Sequence, residues 1–81
     1  VITGPVGATL TFSLRRPKKL PTRYPVGQRS GDVDKLARAA LDAMTGVVYL
    51  DDAQVVSLLV TKCWAEADTA PGVEVLVREI G

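Results

Sequence analysis

The chain has 81 residues, of which 47% are hydrophobic and 23% charged, and its formal net charge is +1. That length predicts one globular domain spanning residues 1–81. The sequence has no histidine and a single cysteine, Cys63, which excludes Ser-His-Asp and Cys-His catalysis, histidine zinc sites and an internal disulfide.

In chain order, Ala8 to Arg15 alternates strictly. Ala8, Leu10, Phe12 and Leu14 fall on one side, and Thr9, Thr11, Ser13 and Arg15 on the other. This predicts a half-buried strand. Residues 16–31 hold Pro17, Pro21, Pro25, Gly27 and Gly31 among basic side chains, which predicts a long irregular loop. Asp34 to Thr45 predicts a helix with Leu36, Ala37, Ala40, Leu41 and Met44 as its apolar stripe. Asp34 is its expected N-cap and Gly46 its stop. Val47 to Leu50 is expected to be a short extended run. Ala53 to Trp64 predicts a strand apolar on both faces and central in the sheet. Val73 to Ile80 predicts the last strand, pairing antiparallel with the one before it, with Val73, Val75 and Val77 inward. The expected class is α+β, a small mixed sheet with one main amphipathic helix.

The charge is unevenly placed. Residues 1–31 carry Arg15, Arg16, Lys18, Lys19, Arg23 and Arg29 and no acid, whereas residues 32–81 carry four bases and nine acids. The two parts are therefore +6 and −5, the pattern of a polyanion-binding segment beside an acidic site. The basic loop suits phosphate contacts that are salt-dependent and indifferent to sequence; a solvated loop is the plainer alternative. Among the acids, Asp32-Val33-Asp34 precedes the helix and Asp51-Asp52 follows it. In an extended segment, residues i and i+2 project to one side. Asp32, Asp34 and a returning Asp52 would supply the hard oxygen ligands that Mg²⁺ takes. Acid before a helix also suits capping and the helix dipole, and Asp-Asp also suits a turn. Arg38 lies one turn after Asp34, placed either to pair with it or to steady a phosphate. Tyr49, Cys63 and Trp64 are expected to pack rather than react.

The segments Gly31-Asp32-Val33-Asp34-Lys35-Leu36, Leu41-Asp42-Ala43-Met44-Thr45-Gly46-Val47-Val48-Tyr49 and Asp51-Asp52-Ala53-Gln54-Val55-Val56 together resemble the RusA-type Holliday junction resolvases, which are common in phages and prophages. A DxD, a helix and a DDxQV in that order form a specific combination. The resemblance is close over residues 31–64 and looser at the strand 8–15 and the closing Val-Glu-Val. It implies a RusA-like fold and a homodimeric, Mg²⁺-dependent endonuclease, with Mn²⁺ as the alternative ion. Such an enzyme resolves four-way branched DNA by paired symmetric cuts in recombination and repair. It implies Asp32, Asp34 and Asp52 as metal ligands and catalytic acids, and Arg38 in the place of the family's essential lysine. DNA contacts are expected from Arg15, Arg16, Lys18, Lys19, Arg23, Arg29 and Lys35. No organic cofactor and no membrane is expected, and the location is expected to be cytoplasmic.

The sequence departs from the family pattern in several places. Arg38 keeps the charge but does not exchange a proton, so its role would be electrostatic. Lys35 stands where asparagine is usual, and Ser30-Gly31 replaces a common Lys-Pro. The strand and helix that normally precede the strand at 8–15 are missing, and the chain starts at Val1, so an N-terminally truncated domain is expected. A domain this short buries only about 60% of its unfolded surface and calls for support from a partner or from further sequence. Two rival readings are a branched-DNA-binding module that does not cut, and a structural α+β domain whose acids are caps and turns.

Overall fold

The computed structural model describes residues 1–15, 24–26, 31–66 and 70–81. Strand β1 (Val6–Leu14), helix α1 (Val33–Met44), a 3-10 turn (Asp52–Gln54), strand β2 (Val55–Trp64) and strand β3 (Gly72–Glu79) follow one another. The sheet order is β2-β1-β3. β1 lies parallel to β2 and antiparallel to β3. Parallel neighbours need a crossover between them, and α1 lies in that connection. The class is α+β with a mixed sheet, as the sequence predicts.

The alternation in β1 sets the core. Val6, Ala8, Leu10 and Phe12 are buried, whereas Thr9, Thr11 and Ser13 are half-buried on the other face. α1 lays its apolar stripe over the first face. Ala37 and Met44 join Val6, Leu10, Phe12 and Tyr49 in one cluster, with Leu36, Ala40 and Leu41 packed at its margin. Each fully buried side chain of this size contributes about 1.5–3 kcal/mol, and this cluster joins α1 to the sheet.

Several predicted elements need correction. β2 is an edge strand, because β1 takes the centre. Its apolar run is only partly covered: Val56 is 64% and Leu59 61% exposed. β2 and β3 do not pair with each other among the described residues, since β1 lies between them. Val73, Val75 and Val77 do share the register face of Phe12, Leu10 and Ala8, but only Val77 packs against the core and the other two remain exposed. Val47 to Leu50 is a turn rather than an extended run. Gly46 takes φ +81, a left-handed conformation that suits glycine at a helix end. The chain then doubles back, so that the amides of Val47 and Val48 donate to the Met44 carbonyl at 3.0 and 2.8 Å. The predicted loop at 16–31 lies mostly outside the described residues.

Candidate active site

α1 starts one residue earlier than predicted. Its N-cap is Asp32, with φ −82° and ψ 142°, and Asp34 lies in the first turn. The same-side argument for Asp32 and Asp34 therefore lapses: from Val33 onward the backbone is helical, and residues two apart on a helix diverge by roughly 200°. Asp32 is a cap by position only. Its side chain makes no capping hydrogen bond, although aspartate at this position usually accepts one from the first turn. The carboxylate instead faces solvent, 3.8 Å from the Lys35 ammonium, with the two side chains 64% and 81% exposed. An ion pair that open adds little to stability. It is the only ion pair among the described residues, so Arg38 and Asp34 are not paired.

The backbone of Asp32 is held on both sides. Its carbonyl accepts the Leu36 amide at 3.0 Å, the first bond of the helix. Before it, the Gly31 carbonyl accepts from the Lys62 ammonium of β2 at 2.8 Å. Gly31 has φ +83, a conformation that side-chain-bearing residues rarely take.

The other acids lie at the far end of α1. Asp51 caps the 3-10 turn by accepting the Ala53 amide at 2.9 Å. That bond, followed by a hydrogen bond with Asp52, holds the Asp51 carboxyl below its ordinary value. Asp52 moves the opposite way, raised first by the hydrogen bond with Asp51 and further by burial and by the charges of Asp51 and Asp42. The one hydrogen bond thus moves the two carboxyls in opposite directions. Tyr49 lies beneath, fully buried, and donates to the Leu41 carbonyl at 2.8 Å. Burial is the main reason its phenol is pushed up, and the charges of Asp52 and Asp42 add to this.

The charges that bear on Asp52 are thus those of Asp51 and Asp42, near the C-terminal end of α1. Asp34 lies eight residues before Asp42, and a helix rises 1.5 Å per residue, so those two residues are roughly 12 Å apart along the axis. Among the described residues, no group of three His, Cys, Asp or Glu side chains is placed to hold a metal ion. Asp32, Asp34 and Asp52 are not drawn into such a group among the described residues. The donor chemistry suits a hard divalent cation. Of the expected DNA contacts, Arg15 is exposed at the end of β1, and Lys35 and Arg38 are exposed on α1. Arg16, Lys18, Lys19, Arg23 and Arg29 lie outside the described residues.

Sequence reasoning missed the role of Gln54. Its Oε1 accepts the amides of Leu50 and Asp51, both at 2.8 Å, and its Nε2 donates to the carbonyls of Ile2 and Gly4, both at 2.9 Å. Every hydrogen-bonding site of the amide is filled. Gln54 is therefore the strut that fixes the Asp51–Asp52 turn against the segment leading into β1. The signal was present in the DDxQV spacing, since glutamine three residues after an aspartate makes a capping box. Lys62 was also missed, because a lysine within an apolar strand reads as an ordinary exposed position.

Comparison with known proteins joins these pieces. The sequence profile described as endodeoxyribonuclease RusA matches residues 1–78. The uncharacterized protein YqaN of Bacillus subtilis (strain 168) is 31% identical over 90 residues, covering 99% of this chain and 61% of that protein. The chain thus spans about three-fifths of the length of the curated relative it matches. No solved structure matches the chain. With a profile match across nearly the whole sequence, and with DxD, helix and DDxQV in the expected order, the chain belongs to the endodeoxyribonuclease RusA family.

Proposed function

We propose that this chain is the catalytic domain of a Holliday junction resolvase, which cuts four-way branched DNA by paired phosphodiester hydrolysis in recombination and repair. Family membership across residues 1–78 carries this reading. The uncommitted carboxylate of Asp32 and the acidic step at Asp51–Asp52 support it, since folding makes little use of the first. The basic residues Arg15 to Arg29 would follow the phosphate backbone, and Arg38, exposed one turn beyond Asp34, would steady charge on the scissile phosphate. A DNA substrate suits a cytoplasmic location.

The divalent-cation requirement, for Mg²⁺ or Mn²⁺, belongs to this proposal at the level of a homodimer. The three carboxylates supply the hard oxygen ligands that such an ion takes, and a homodimer would carry two such sets. Symmetric cutting asks for two copies in any case, because the two strands cut are related by the symmetry of the junction.

The test is cleavage of a synthetic four-way junction with and without Mg²⁺, alongside Asp34→Asn. The chain is expected to cut only with the cation, and Asp34→Asn to lose about 10²-fold or more in rate, the scale on which removing a charge-stabilising group acts. Equal cutting by both proteins would remove Asp34 from the chemistry. A second reading, a junction-binding module without cleavage, is favoured by the open arrangement of the three aspartates. It predicts a gel shift that survives EDTA and no nicking at any Mg²⁺ concentration.

A further inference from the structure

We propose that Lys62 is a positioning residue for Asp32: it clamps the backbone immediately before the first acid to the edge strand of the sheet. The inference rests on the reading above, in which the Asp32 carboxylate takes part in cleavage. Lys62 lies on β2 opposite Phe12 in the parallel register. It therefore projects from the face of the sheet that α1 covers. Its ammonium is 2.8 Å from the Gly31 carbonyl, a charge-assisted hydrogen bond and so among the stronger kinds.

Three features make this more than a surface contact. The bond joins residues 31 positions apart in sequence, tying the start of α1 to a strand that β1 already fixes. It acts at Gly31, where the positive φ leaves the chain without the usual restriction by a side chain. And it is paired with the bond from the Leu36 amide to the Asp32 carbonyl. The main chain is thus held before and after Asp32, while the carboxylate is spared from capping. A held backbone with an uncommitted side chain is what a reacting carboxylate needs, because misplacement by about 1 Å costs on the order of 10²-fold in rate.

Lys62→Met keeps the stem that packs along the sheet and removes the donor; Lys62→Arg keeps a charged donor. Both are compared with the unaltered chain in three measurements: single-turnover cutting of pre-bound four-way junction, junction affinity across a salt series, and amide hydrogen exchange at Leu36 and Leu10. For Lys62→Met the expected result is cutting slowed by roughly tenfold or more and affinity within about twofold with an unchanged salt slope. Leu36 exchange should be faster by about tenfold, one hydrogen bond's worth, with Leu10 exchange unmoved. Lys62→Arg should recover most of the cutting and of the Leu36 protection.

Unchanged Leu36 exchange in Lys62→Met would overturn the proposal. So would a loss of affinity with a shallower salt slope, which would make Lys62 a phosphate contact. A parallel rise at Leu10 would also overturn it, by showing that Lys62 merely holds the fold. If the unaltered chain binds junctions but never cuts them, the resolvase reading fails on its own, and the exchange measurements still decide whether Lys62 holds the Asp32 backbone.

Discussion

Asp51 and Asp52 are adjacent and equally exposed, yet they titrate in opposite directions. The difference comes from the Ala53 amide, which binds Asp51 and favours its ionised form. Asp52 is raised instead, chiefly by its hydrogen bond to Asp51. The sign follows. Asp51, with its folded value lowered, favours the folded state above the ordinary aspartate range and loses that effect as pH falls through the lowered value. Asp52, with its folded value raised, favours the folded state at low pH and loses that effect as pH rises through the raised value. Carboxyl-carbon NMR titration should find the Asp52 midpoint above 3.8 and the Asp51 midpoint below it. Asp51→Asn keeps an acceptor for the Ala53 amide but removes the charge, so the Asp52 midpoint should fall. A midpoint left in place would show that the two carboxyls are not paired. The raised Asp52 also means that the acidic limb of any cutting activity needing its anion should lie above the ordinary aspartate range, and should move down in Asp51→Asn.

Among the elements, β1 and α1 were the most legible. β1 alternates from Ala8 to Ser13, and the α1 stripe from Leu36 to Met44 is the face that meets the core. Gly46 ends the helix as predicted, by its positive φ. What failed has a common cause. Periodicity reports which faces of a strand meet apolar neighbours; it does not report how many strands lie beside it. β2 reads as central because both faces are apolar, but it lies at the edge. β1 reads as half-buried because one face is hydroxyl-rich, yet it is the strand with two partners. The acidic site was legible as residue types and order, but not as geometry, because the turn after Gly46 brings Asp52 within the field of Asp42. Gln54 shows how a short element is fixed from outside itself. Gln54→Ala would strip partners from two amides and two carbonyls. With solvent reaching part of the site, a loss of about 1–3 kcal/mol is expected, read as a lower denaturant midpoint at unchanged slope. A loss below about 0.5 kcal/mol would mean that water replaces the strut without cost.

For the molecule as a whole, the described part buries few residues and leaves much apolar sheet in the open. On the face away from α1, Leu59 and Leu76 are 61% and 60% exposed and flank Thr9 in the ladder. Among the described residues, no helix is long and apolar enough to cross a membrane. Exposed apolar surface of this kind accompanies protein contacts, in keeping with the homodimer proposed above. Sedimentation should give a mass near twice the 8.6 kDa of the chain at micromolar concentration. A monomer that cuts junctions at full rate on dilution would remove the dimer from the proposal.

The central position of β1 also bears on how the protein is made. Val6 pairs with Val55 on one side and with Glu79 on the other. β1 must wait for both β2 and β3 before its two ladders are complete. At about 5–20 residues per second, the nascent chain spends seconds with its central strand unmatched on one edge or both, so synthesis is a stage at which this fold is open to misassembly.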